Sequence, residues 1–190
     1  LQKVEFSDQI GYSCTGTPVD CVKLGLHEIF NDKPDLILSG INKGSNTSQN
    51  ILYSGTVSAA VEGMLSGIPS MAFSITSLTP NEYESATRIT KFIVEKFISL
   101  KIEANSVINV NIPPIHFDEI NGIKITRQGK SQFEDFYIKN DNIKNLYQLN
   151  GELKIVRDND KNDDHCVQDG FVSITPLQFD LTDYKKFNYL

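Results

Sequence analysis

The stretch Ser39-Gly40-Ile41-Asn42-Lys43-Gly44-Ser45-Asn46 sets glycines among amide and hydroxyl side chains, just past a short apolar run. Glycine lets backbone approach a ligand closely. Asn42 offers a neutral oxygen to a cation and an NH2 to a phosphate, and Gly44 and Asn46 continue the same loop. A plainer reading stands beside this one, because Asn and Gly also supply the backbone angles of ordinary turns. The spacing is not that of a Walker A loop, which ends in Gly-Lys-Ser/Thr. A second segment, Tyr53-Ser54-Gly55-Thr56-Val57, places hydroxyl residues ahead of an apolar-periodic run. The free N–H groups of a helix start, carrying about +0.5 charge, attract anions. The alternative is a helix cap with no ligand. The two segments predict one cleft in which Asn42 faces Ser54, Gly55 and Thr56 across a bound phosphate. Glu62, further into that helix, reads as a structural or supporting residue.

Other polar clusters read as less chemical. Asp158, Asp160, Asn162, Asp163 and Asp164 resemble a calcium loop in outline. However, Asp163 stands where such a loop needs Gly, and Asp169 where it needs a bidentate Glu. The run is therefore expected to be a solvated loop. His27, His116 and His165 are too scattered for a metal pair and read as surface or structural residues. Cys14, Cys21 and Cys166 form no CxxC, so neither a disulfide framework nor a zinc knuckle is expected. Unpaired thiols fit a cytoplasmic protein. With 18 basic against 24 acidic residues, net charge −6, a nucleic-acid polymer is not an expected partner. No run reaches the roughly 18–20 apolar residues of a membrane span, so no membrane is expected either.

The positioning elements follow from periodicity. Val4, Phe6, Ile10 and Tyr12 alternate as in a strand or hairpin. Thr17-Pro18 reads as cap and first residue of a helix that ends at Asn31-Asp32-Lys33-Pro34. Asp35–Ser39 reads as a buried parallel strand stopping at Gly40, Ser70–Ile75 as another strand, and Val107–Ile112 as a third, ended by Pro113-Pro114. Between them lie helices from Thr56 to Gly67-Ile68-Pro69 and from Glu82 to about Leu100. The second carries Ala86, Ile89, Ile93, Phe97 and Leu100 on one stripe. Such alternation predicts an α/β fold: a Rossmann-like, mostly parallel sheet with helices on both faces. After Gly122 the short segments Ile123–Arg127, Leu153–Val156 and Phe171–Thr175 predict β-hairpin arms instead. The division is an α/β core over 1–121 and hairpin arms with a closing strand over 122–190.

At these segments the chain resembles the SurE-type survival proteins, which are metal-dependent 5′-nucleotidases. The resemblance rests on Gly16-Thr17-Pro18-Val19-Asp20-Cys21-Val22, on Asp35-Leu36 through Ser39-Gly40-Ile41-Asn42 with Gly44 and Asn46, and on Tyr53-Ser54-Gly55-Thr56-Val57 with Ala60, Glu62 and Gly63. It continues through Asn109-Val110-Asn111-Ile112-Pro113, Thr126-Arg127-Gln128-Gly129 and Gly170-Phe171-Val172-Ser173-Ile174-Thr175-Pro176-Leu177. It implies a divalent metal, Mg2+ or Mn2+, a nucleoside monophosphate substrate and a homodimer or homotetramer. Of the family's metal ligands, an Asp-Asp pair, a Ser and the Asn of the SGIN loop, only Asn42 has a counterpart here. The catalytic Asp pair and the core's first strand are expected ahead of Leu1, and residues 1–190 alone are expected to lack metal binding and hydrolysis. Two alternatives remain open: a nucleotide- or phosphate-binding module that lacks the chemistry, and a sugar phosphatase with an aspartyl nucleophile.

Overall fold

Alternation at Val4 and Tyr12 becomes an antiparallel hairpin of β1 (Gln2–Phe6) and β2 (Gln9–Ser13) in the computed structural model, which describes residues 1–6, 9–79, 81, 83–100, 103–140 and 143–187. Helix α1 (Pro18–Leu24) starts as the sequence predicts. The Thr17 hydroxyl accepts from the Asp20 N–H at 3.3 Å, and the Asp20 carboxylate accepts from the Thr17 N–H at 2.8 Å. This reciprocal pair satisfies two donors that a helix start would otherwise leave open. The helix continues through a wider turn over Gly25–Ile29.

Strand β3 (Ile37–Lys43) differs from its prediction in two ways. It does not stop at Gly40 but runs on to Lys43, with a register shift against its neighbour between Ser39 and Asn42. Gly40 makes this possible: its φ is +122°, and a Cβ there would collide with the Phe73 carbonyl oxygen. Nor is the strand buried. It is the sheet's edge among the described residues, and Leu38 is 48% exposed. A short 3-10 turn over Ser48–Tyr53 leads into α2 (Gly55–Leu65), and β4 (Ser70–Ile75) follows. Helix α3 (Tyr83–Leu100) buries Ala86, Ile89, Ile93 and Phe97 as predicted. Leu100, the last residue of the helix, is 70% exposed rather than on the core stripe, and the predicted start at Glu82 lies outside the described residues. Strand β5 (Val107–Ile112) ends at the two prolines.

The second half supplies β6 (Ile123–Ile125), β7 (Gln132–Lys139), β8 (Tyr147–Lys154), α4 (Asp163–Gln168), β9 (Val172–Leu177) and α5 (Tyr184–Phe187). β7 and β8 form a separate antiparallel pair, whereas β6 and β9 join the central sheet, in order β3-β4-β5-β9-β6. β3, β4 and β5 are parallel, β9 runs antiparallel to β5, and β6 is parallel to β9. Alternation divides the core. Met71, Phe73, Ile75, Ile108, Val110 and Ile112 pack with α3, while Ala72 and Val107 pack with Val57 and Ala60 of α2. Ser74, Asn109 and Asn111 share the α2 face by the period of two, so the carboxyl half of that face is polar. A buried polar surface must find partners, and the loop after β3 provides them.

Candidate functional site

Asn42 is half-buried at the carboxyl end of β3, and its Nδ2 donates to the Gly44 carbonyl at 3.0 Å. That contact orients the side-chain amide and leaves Oδ1 to accept from another group or to meet a cation. Gly44 turns the chain at φ +99°, and its N–H donates to the carbonyls of Ile75 at 2.9 Å and Ser77 at 3.0 Å. Asn46 then sits on the polar face of the sheet. Its N–H donates to Asn111 Oδ1 at 2.9 Å and its Nδ2 to Ser74 Oγ at 2.5 Å. Its carbonyl accepts from Asn109 Nδ2 at 2.8 Å and Asn111 Nδ2 at 3.1 Å. The two asparagines of Asn109-Val110-Asn111 thus hold the loop rather than a ligand.

The start of α2 lies at the same edge. At the other end of this helix, a Cβ on Gly63 would meet Ser70 Oγ and Ile37 Cδ1, the first residues of β4 and β3. The helix therefore ends at the amino edge of the sheet and begins at the carboxyl edge, where Asn42 is. Ser54 is its cap and accepts from the Val57 N–H at 3.0 Å. The N–H groups of Gly55 and Thr56 precede the first intrahelical bond. Pro18 of α1 packs on Gly55, so that a Cβ there would come within 3.1 Å of the Pro18 ring. Lys23 and Glu62 pair at 3.8 Å further along, and the two helices start side by side.

The acidic run corrects the sequence reading. Asp163 is fully buried and Asp164 is 6% exposed, so neither belongs to a solvated loop. The Asp163 carboxylate accepts from the N–H groups of Ser48 at 3.0 Å, Gly129 at 2.9 Å and Asp164 at 2.9 Å. Burial pushes its carboxyl above the usual range, and the backbone donors oppose that shift. Asp164 accepts from the Ser131 hydroxyl and from the His165 N–H. His165 is 4% exposed, and its Nδ1 meets the Asn159 carbonyl at 3.1 Å, which makes it structural. Nothing in the local pattern separates these aspartates from surface ones, because their donors come from loops about 30 and 115 residues away. The Cys166 thiol, buried beside them, is pushed up to about 11. Cys14, Cys21 and Cys166 are all free.

Among the described residues, no group of three His, Cys, Asp or Glu side chains could hold a metal ion. Asn42 Oδ1 fits one place in a hard cation's oxygen shell, and the described residues gather no such group to complete it. A cavity of about 570 Å3 opens between α3 and β6, but none of its lining comes from the loop after β3. The chemistry, not the cavity size, assigns the site. Among the described residues, no helix is long and apolar enough to cross a membrane.

Fold and site together define an α/β protein that presents an anchored Asn loop and two helix starts at the carboxyl edge of its sheet, the place where such sheets bind ligands. The chain belongs to the SurE family: the sequence model described as "Survival protein SurE" matches residues 1–135. It is 45% identical over 182 residues to the 5′-nucleotidase SurE of Trichormus variabilis, covering 90% of this chain and 69% of that protein. It is 43% identical over 176 residues to the 5′-nucleotidase SurE of Chlorobium limicola, covering 92% and 68%. The crystal structure of the Sure protein from Aquifex aeolicus is similar, with TM-score 0.80 and 41% identity, over 93% of this chain and 72% of that one.

Proposed function

We propose that this is a 5′-nucleotidase, a phosphatase that hydrolyses nucleoside 5′-monophosphates to nucleoside and phosphate with a divalent metal. The observation that carries the reading is that Asn42, anchored on the Gly44 carbonyl, and the start of α2 both lie at the carboxyl edge of the sheet. The names of the relatives support it. In this reading Asn42 Oδ1 is one ligand of Mg2+ or Mn2+. The N–H groups of Gly55 and Thr56, with the α2 dipole, receive phosphate oxygens. Gly44 and Asn46 have their N–H groups committed to the sheet, so their part is to fix Asn42 beside the phosphate. The ion, when bound, offsets charge developing on the transferring phosphoryl group. The carboxylates that complete its shell are proposed to be an Asp pair ahead of Leu1.

The reading extends to assembly. The β7–β8 hairpin exposes Phe133, Phe136, Tyr137, Ile138, Leu149 and Leu153, each more than 40% accessible. A two-stranded ribbon is marginal alone in water, and an apolar ribbon of this extent suits a subunit contact. β6 and β9 belong to the central sheet, so of the predicted arms over 122–190 it is the β7–β8 hairpin that is proposed to build a homodimer or homotetramer, in the cytoplasm, where free thiols persist. The deciding experiment is phosphate release from a nucleoside 5′-monophosphate by the full-length protein, with Mg2+ or Mn2+ and with EDTA. Metal-dependent release supports the reading, and binding without release would make the chain a nucleotide-binding module instead.

A further inference from the structure

Ser48 lies midway along the chain between Asn42 and Ser54, the cap of α2. Two residues before it, Asn46 is fastened to the sheet by four hydrogen bonds. The chain then passes through Ser48 at φ +53°. A residue with a Cβ keeps that left-handed conformation only where its surroundings hold it.

Both peptide groups of Ser48 are held from distant parts of the chain. Its N–H donates to the two oxygens of buried Asp163, at 3.2 and 3.0 Å. Its carbonyl accepts from Gln128 Nε2 at 2.8 Å. Gly129, next to Gln128, donates its own N–H to Asp163 at 2.9 Å. A Cβ on Gly129 would come within 2.5 Å of Ser48 Oγ, so this corner closes directly on Ser48.

The grip reaches beyond the loop. From Ser48 a 3-10 turn runs to Tyr53. The Asn50 N–H donates to the Thr47 carbonyl at 3.1 Å, and the Ser54 N–H to the Ile51 carbonyl at 3.3 Å. Ile51 is buried in one cluster with Val57 and Ala60 of α2. Turn and helix start thus form one packed piece, and a displacement of Ser48 passes to the N–H groups of Gly55 and Thr56.

We propose that Asp163 and Gln128 are positioning residues for phosphate: they grip Ser48 and so set where the first N–H groups of α2 stand relative to Asn42. Each acts through Ser48 rather than on the substrate. The inference rests on the nucleotidase reading and gives its site a support drawn from 115 and 80 residues further along the chain.

The test uses full-length wild type, Asp163→Asn, Gln128→Ala and a control, Ile93→Val. Asp163→Asn keeps the volume and one acceptor oxygen but turns an NH2 toward donors. Gln128 is exposed, so its variant should fold even where Asp163→Asn does not. Ile93 is buried in the cluster under α3, and its variant costs stability without touching Ser48. Calorimetry with inorganic phosphate and Mg2+, and KM and kcat for adenosine 5′-monophosphate, are measured at a temperature where circular dichroism shows each protein folded. Asp163→Asn should bind phosphate about tenfold more weakly, short of the roughly hundredfold that a misplacement of about 1 Å can cost. Gln128→Ala should bind it about threefold more weakly, the effect of one neutral hydrogen bond. KM should rise in parallel, and Ile93→Val should keep the wild-type affinity. A folded variant with wild-type phosphate affinity and KM removes its residue from the role, and an equal loss in Ile93→Val would overturn the proposal as general loosening. Wild type that binds phosphate but releases none from the nucleotide, with the variants weakened, would sink the nucleotidase reading and leave the positioning standing. Wild type that hydrolyses the nucleotide, with both variants unchanged, would do the reverse. Wild type that neither binds phosphate nor releases it would end both.

Discussion

Ser48 and Asp163 stand 115 residues apart in sequence, yet the Ser48 N–H donates to both carboxylate oxygens of Asp163, at 3.2 and 3.0 Å. Ser48 has φ +53°, a conformation unusual for a side-chain-bearing residue, and this bond helps to hold it. The far end of the Asn42 loop is thereby fastened to α4. Asp163→Ala removes the acceptor and leaves the Ser48 and Gly129 N–H groups buried without partners. Each such group costs about 1–3 kcal/mol, so denaturant titration should show a loss of at least about 2 kcal/mol. A loss below about 0.5 kcal/mol would mean that the loop has other anchors.

The same carboxylate gives stability a pH dependence. Burial raises the Asp163 pKa above its ordinary value of 3.8, with the neighbouring Asp164 charge adding to the rise. An acid whose folded pKa is raised binds its proton more tightly in the folded state. Its contribution is complete below the unfolded pKa and is lost as pH rises through the folded one. Asp163→Asn removes this titration. Wild type should therefore gain stability relative to that variant as pH falls from neutrality toward about 4. Chemical denaturation of both proteins across that range checks the sign, and a difference independent of pH would refute it.

Two glycines should respond oppositely to alanine. Gly63 lies on the inner face of α2, and a Cβ there would strike Ser70 Oγ and come within 2.7 Å of Ile37 Cδ1. Both obstacles belong to the sheet, so Gly63→Ala should destabilise by about 1–3 kcal/mol, the cost of overpacking. Gly25 has helical φ −57° and ψ −49°, and its nearest obstacle is 4.0 Å away at Phe30. Gly25→Ala should stabilise by about 0.4–1 kcal/mol by restricting the unfolded chain. Thermal melts of the pair decide, and a stabilised Gly63→Ala would show the α2–β3 contact to be loose.

These contrasts show what the sequence could disclose. Short runs bounded by Pro located β4 and β5, which are buried throughout, periodicity located α2 and α3 because each helix buries one face, and Thr17-Pro18 and Ser54 marked helix starts by local chemistry alone. Asn42 and the α2 start were legible for the same reason: both lie within one short segment. The buried Asp163-Asp164 pair was not, since a carboxylate's burial depends on donors from Ser48, Gly129 and Ser131, far away in sequence. The passage of β3 through Gly40 was equally hidden, because it depends on the Phe73 carbonyl across the strand. Strand β7 carries apolar residues on both faces, at Phe133, Phe136, Tyr137 and Ile138, and so shows no alternation to read.

That ribbon leads to a prediction about assembly. Tyr137 lies opposite Leu149, and both are more than half exposed. Replacing Phe136 and Tyr137 together by Lys should remove an apolar contact and place charge in the proposed interface. Light scattering on the full-length protein should then report a smaller particle than wild type. Phe136 and Tyr137 point to opposite faces of β7, so equal masses for the two would exclude the hairpin as the contact.

Ser54 separates capping from ligand binding. Its hydroxyl accepts from the Val57 N–H, and it is 8% exposed, so Ser54→Ala should cost about 1 kcal/mol of stability through the lost cap. Aspartate caps helices about as well as serine and also favours the positive end of the dipole. Ser54→Asp should therefore melt close to wild type. Its carboxylate, however, would sit beside the Gly55 and Thr56 N–H groups, where the substrate phosphate is proposed to bind. The expected outcome is a protein of near-normal stability whose KM for a nucleoside monophosphate rises at least about tenfold, because like charges repel strongly where water is scarce. Inorganic phosphate, as a competitive inhibitor, should weaken in parallel. If Ser54→Asp keeps both the wild-type melting temperature and the wild-type KM, the start of α2 is a cap and nothing more, and the phosphate must be held elsewhere on the sheet edge.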